Sequence, residues 1–138
     1  MAQRSPPALY DVLEQSPTDM YENGVDEARC IAGTVEMTWD KVDKSPFHIL
    51  VVIREHKFQV FFQLHNEYLE VLQALQPRDK FWLSLRGAKL RKLKASKDPC
   101  TLPLYLLFSD GVELHWKQSD GRMQNLNTWI GNFYQTSI

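Results

Sequence analysis

Between residues 80 and 97 the sequence carries Lys80, Arg86, Lys89, Arg91, Lys92, Lys94 and Lys97, with no acid among them until Asp98. A cationic run of this kind neutralises backbone phosphates, and for a polyanion local clustering counts for more than total charge. The total here is only −1. Charge grips a backbone but not the bases. Bases are held by exposed aromatic rings, each stacked base being worth about 1–3 kcal/mol. Phe61 is the sharpest candidate, because Phe58, Val60, Phe62 and Leu64 already occupy the alternate, inward positions of its segment. Phe61 must then face outward, between Gln59 and Gln63, whose amides can hydrogen-bond base edges. Trp82 takes the same outward register in the segment that begins at Lys80. Lys41 and Lys44 before Pro46, and Arg54 and Lys57 around a polar break, add positive charge near these rings. The competing reading has Phe61 under a C-terminal helix, Trp82 and Tyr105 as packing, and the basic run as a solvated strand end.

Other chemistries lack their residues. His48, His56, His65 and His115 are scattered, and neither Cys-x-x-Cys nor His-Glu-x-x-His spacing occurs, so no metal site is expected. No Gly-rich phosphate loop follows a strand and no Gly-x-Ser-x-Gly nucleophile motif is present. No enzyme and no cofactor are expected. Cys30 and Cys100 have no framework spacing, which points to a reduced intracellular compartment. The N-terminal residues lack a signal-like apolar core, and the apolar stretch Phe47–Ile53 is far too short to span a bilayer, so no membrane partner is expected.

The elements that must carry these residues follow from periodicity. Residues 1–26 read as an acidic N-terminal extension, broken by Pro6-Pro7 and Pro17: a partly ordered leader in the favoured reading, one short helix over Ala8–Glu14 in the other. Residues 27–118 read as the domain proper. Its first strand, Arg29–Lys41, places Ile31, Gly33, Val35, Met37 and Trp39 on one face, with a bulge or bend at Gly33. Strand two, Phe47–Arg54, turns Phe47, Ile49, Val51 and Ile53 inward. Strand three is Lys57–Leu64. A helix over 66–76, capped by Asn66 and stopped by Pro77, separates it from strand four, Lys80–Leu93. Strand five starts at Leu102 and bends or adds a hairpin at Ser109-Asp110-Gly111. Residues 119–138 read as a turn and a short C-terminal helix, with Leu126, Trp129, Ile130 and Phe133 packing on the outside. Strand, strand, strand, helix, strand, strand is the order of a mainly β, five-stranded OB-fold barrel with a helix between strands three and four. The basic run then falls in the loop between strands four and five, which frames the binding groove of such a barrel together with the loop between strands one and two.

The segment KFWLSLRGAKL (80–90) resembles the hydrophobic-x-Leu-x-Gly-Ala signature of telomere-end-binding OB domains of the protection-of-telomeres type. LPLYLLFSDGVELHW (102–116) resembles their fifth strand. The likeness covers about residues 28–116. It implies a nuclear, chromosomal protein that binds the G-rich single-stranded DNA at chromosome ends and meets other telomere-associated proteins. By position it carries over Phe61, Arg86 and Lys89. An alternative from the same residues is an OB-fold or pleckstrin-homology-like module that docks a protein, favoured by the outward Leu50 and Val52.

Overall fold

The computed structural model describes residues 15–40, 46–93 and 100–130. Three strands form an antiparallel meander: β1 (Cys30–Trp39), β2 (Phe47–Ile53) and β3 (His56–Phe62). In β2 and β3 the alternation works as the sequence dictates. Phe47, Ile49, Val51, Ile53, Phe58, Val60 and Phe62 are buried, and the residues between them are half-buried. Two short helices flank the meander, α1 (Pro17–Asn23) before it and α2 (Asn66–Leu72) after it. The chain then returns as β4 (Lys80–Ser84), antiparallel to β1. β5 (Ala88–Lys92) pairs with β6 (Thr101–Phe108), and β6 runs parallel to β3. β7 (Glu113–Lys117) pairs with β4, and β8 (Met123–Asn127) with β7. The result is mainly β: one eight-stranded sheet in the order β5-β6-β3-β2-β1-β4-β7-β8.

This corrects the expectation of a closed five-stranded barrel. The expected fourth strand is divided into β4 and β5 at Arg86-Gly87, and the expected fifth into β6 and β7 at Ser109–Gly111. Gly87 has φ +81°, a conformation that side-chain-bearing residues rarely adopt, so the strand turns there. The two breaks share one filler. A Cβ on Gly87 would lie 2.7 Å from the Trp129 indole, and one on Gly111 would lie 3.0 Å from it. Antiparallel pairing resumes beyond both breaks, shifted by one residue. Lys80 faces Lys117 and Leu83 faces Leu114, and beyond the break Ala88 faces Phe108 and Lys92 faces Leu104.

Other boundaries move for identifiable reasons. In β1 the register slips between Val35 and Met37, so the bulge sits at Glu36 and Met37 swings out to 46 % exposure. At Gly33 there is close approach instead, because a Cβ would stand 2.3 Å from the Val52 carbonyl oxygen. The bulge also holds the turn before β4: Val35 N–H donates to the Asp79 carbonyl and Arg78 N–H to the Val35 carbonyl. Asp79 itself is buried, and its carboxylate accepts from the Gln76 N–H. α2 ends at Leu72, earlier than expected, and its N-cap is His65 in place of Asn66. α1 lies in the stretch expected to be an extension. Ser16 caps it by accepting from the Asp19 N–H, and Met20 is fully buried in the core, so α1 packs as part of the domain. Residues 123–127, expected in a C-terminal helix, form β8. The expected helix over 8–14 and Phe133 lie outside the described residues.

Candidate nucleic-acid interface

Because the sheet is pleated, residues in register across neighbouring strands share a face. On the outward face of β1, β2, β3, β6 and β5, one transverse row reads Trp39, His48, Phe61, Leu107, Lys89. The next reads Met37, Leu50, Gln59, Tyr105, Arg91. The rings touch in sequence. Trp39 stacks on His48 with centroids 4.6 Å apart, and His48 stacks on Phe61 at 4.4 Å and 13° between planes. Phe61 meets Tyr105 at 4.8 Å and 60°. All of these rings are half-buried. The backbone fixes them: His48 Nδ1 lies 3.1 Å from the Pro46 carbonyl oxygen, and each ring is braced by its cross-strand neighbour.

The expected site residues divide. Phe61 and Gln59 lie in the rows, and Gln63 is exposed just past the end of β3. Lys89 and Arg91 lie on the same face, at its β5 edge, with Arg91 exposed beside Tyr105. Lys89 Nζ donates to Ser109 Oγ at 2.8 Å and stands 3.6 Å from the Asp110 carboxylate. Lys92 belongs elsewhere, because it faces the buried Leu104 and its ammonium lies 6.0 Å from the Tyr21 ring centroid. Arg86 is also turned away, its guanidinium 4.3 Å over the Trp129 ring. Lys57 pairs with Glu36 at 2.8 Å, and Arg54 is exposed in the β2–β3 turn with φ 60°.

Trp82 is the clearest correction. It is 6 % exposed, lies between Ala32 and His115 on the neighbouring strands, and packs edge-on against His115 at 5.0 Å. It is a packing residue and offers no platform for a base. Lys41, Lys44 and Lys94 lie outside the described residues.

Sequence reasoning missed Trp39, His48 and Tyr105. Trp39 counts as inward unless the slip at Glu36 is known, and no residue type there announces it. His48 and Tyr105 were legible as outward from alternation. What alternation along one strand lacks is the pairing that lines them up with Phe61.

Among the described residues no group of His, Cys, Asp and Glu could hold a metal ion, and no helix is long and apolar enough to cross a membrane. Comparison with known proteins adds one match. The model of a family described as a domain of unknown function (DUF8502) matches residues 4–126. No curated protein and no solved structure matches the chain.

Proposed function

We propose that this chain, which belongs to the DUF8502 family, binds single-stranded DNA on the outward face of β1, β2, β3, β6 and β5. The observation that carries this is the row of rings Trp39, His48, Phe61 and Tyr105 ending at the cations Lys89 and Arg91. Single-strand sites need both parts, rings for the bases and positive charge for the backbone. The rings brace one another, so little ordering remains to be done on binding. Gln59 stands beside the row and supplies an amide for base edges.

The chain path supports an OB-like reading of the domain. It has a three-stranded meander, a helix after the third strand, a return strand on β1, and β6 parallel to β3. Taken through their breaks, β4–β5 and β6–β7 make one long hairpin, which would stand for strands four and five of that fold. The resemblance to telomere-end-binding domains makes the G-rich strand of chromosome ends the first ligand to try, with a nuclear location to match.

A second reading rests on a different observation. The same face carries Met37, Leu50 and Leu107, apolar side chains that a nucleic acid does not require and a docked protein would cover. Titration of short labelled single strands, G-rich and oligo-dT, against a duplex of the same sequence separates the two. Tighter binding of the single strands, weakening as salt rises, is the expected result. Absence of binding at low salt would remove the nucleic acid and leave protein docking.

A further inference from the structure

The outward face runs into a cleft. It lies between the end of β3, the start of α2 and the break between β6 and β7, has a volume of about 460 Å³, and is lined by Gln63, His65, Tyr68, Ser109, Asp110 and Thr128 among others. Gln63 follows Phe61 by two residues and Ser109 follows Leu107 by two, so the alternation that builds the face continues into the cleft wall. Lys89 joins the two regions, its ammonium resting on Ser109 and beside Asp110.

The chemistry inside differs from that of the face. Asp110 presents a carboxylate that is 65 % exposed. A carboxylate repels a phosphate and takes hydrogen-bond donors. Thr128 Oγ1 is already committed, accepting from the Val112 N–H at 2.8 Å, so it acts as wall. The rings of His65 and Tyr68, 6.3 Å apart and inclined at 60°, give the cleft an aromatic side. The volume lies in the range of small-ligand sites, about 300–1,000 Å³. Among the DNA bases, guanine alone sets two donors side by side on its Watson–Crick edge, N1–H and the N2 amino group, and these match the two oxygens of one carboxylate. Unstacked bases of a single strand are read on that edge.

We infer that the cleft receives one guanine of a single strand lying on the face, with Asp110 accepting from N1–H and N2–H. The inference rests on the single-strand reading above and adds base selection to it. Gln63 lies at the mouth, and Lys89 holds the phosphate side while its ion pair with Asp110 keeps the carboxylate oriented.

The test uses three labelled strands on the full chain: oligo-dT, oligo-dT with one central deoxyguanosine, and the same strand with deoxyinosine, which lacks the N2 amino group. The wild type should bind the guanine strand about tenfold tighter than the inosine strand, the worth of one good bidentate contact. Asp110→Asn should bring the two strands to equal affinity. It should bind oligo-dT no more weakly than the wild type, because it removes a negative charge beside Lys89. Asp110 is exposed, so an unchanged melting midpoint is expected. Equal binding of the guanine and inosine strands by the wild type would overturn the inference, as would discrimination that survives Asp110→Asn. In both cases oligo-dT binding would leave the single-strand reading intact. If oligo-dT and the guanine strand both fail to bind, the single-strand reading fails and the guanine site falls with it.

Discussion

Phe61 and His48 lie face to face across β3 and β2, ring centroids 4.4 Å apart and planes 13° from parallel. Phe61 is therefore held on one side by an imidazole and on the other by Tyr105. It is a member of a braced row, and its removal acts on the fold as well as on a ligand. Phe61→Ala should cost about 0.5–1.5 kcal/mol of stability by unstacking its neighbours, beyond the area the ring buries. It should cost about 1–3 kcal/mol of single-strand binding. A denaturant midpoint and an oligonucleotide titration on the same variant give both numbers. Unaltered affinity in a folded variant would take Phe61 out of the site.

The division of the basic run makes a sharper electrostatic prediction than the run as a whole. Lys89 and Arg91 share the aromatic face, whereas Lys92 is turned to Tyr21. Replacing Lys89 and Arg91 with Ala should flatten the log–log salt dependence of binding by about 0.7 for each phosphate that is no longer neutralised. Lys92→Ala should leave the slope unchanged. Equal effects from all of these positions would mean that the phosphates follow the β5 edge rather than the face.

Gly33 tests the tight crossing of β1 over β2. A methyl group there would meet the Val52 carbonyl oxygen at 2.3 Å and Ile53 Cγ1 at 2.8 Å. Backbone on one side and a core side chain on the other leave little room to yield. Gly33→Ala should destabilise by about 1–3 kcal/mol, the usual cost of overpacking. Urea unfolding is the measurement, and a neutral result would mean that β1 and β2 part there at small cost.

Burial pushes the Asp79 carboxyl above its ordinary value of 3.8. The hydrogen bond from the Gln76 N–H opposes the rise and the Asp120 charge adds to it. A carboxyl whose folded pKa exceeds its unfolded one favours folding most below the unfolded value, and this contribution fades as pH rises through the folded value. Asp79→Asn keeps an acceptor for Gln76 and carries no charge to bury. The variant should therefore match or exceed the wild type in thermal midpoint at neutral pH, and that margin should close in acid below the carboxylate range. A wild type that gains on the variant as pH rises would show that the ionised form is the one the turn requires.

How much was legible depended on whether a rule local to one strand was enough. β2 and β3 pair in unbroken register, so simple alternation placed every side chain from Phe47 to Ile53 and from Phe58 to Phe62 correctly. In β1 the one-residue slip at Glu36 exchanged the faces of Met37 and Trp39, and alternation has no term for it. Trp82 obeyed alternation and still misled, because an outward residue of β4 is covered while an outward residue of β3 is half open. The Ser16-Pro17 pair carries a helix-start signal, a capping hydroxyl followed by proline at the first helical position, although a proline in an acidic stretch reads first as a break. The spacing of Leu126 and Trp129 suggests a helix, yet the turn at Asp120-Gly121 folds that stretch back along β7.

The parallel pairing of β3 with β6 has a consequence for the order in which the molecule can be made. The β1–β2–β3 meander needs only neighbouring residues and can form as soon as they leave the ribosome, but the far side of β3 waits for residues 101–108. Until then β3 presents bare backbone donors and acceptors at a sheet edge, which is the condition that invites pairing with another chain. A nascent chain stalled in the segment between β5 and β6 would hold the whole aromatic row from Trp39 to Phe61 without Tyr105 to close it. The proposed binding face is thus completed by one of the later strands to be synthesised, and a truncated product would carry most of the rings on an adhesive, unfinished sheet.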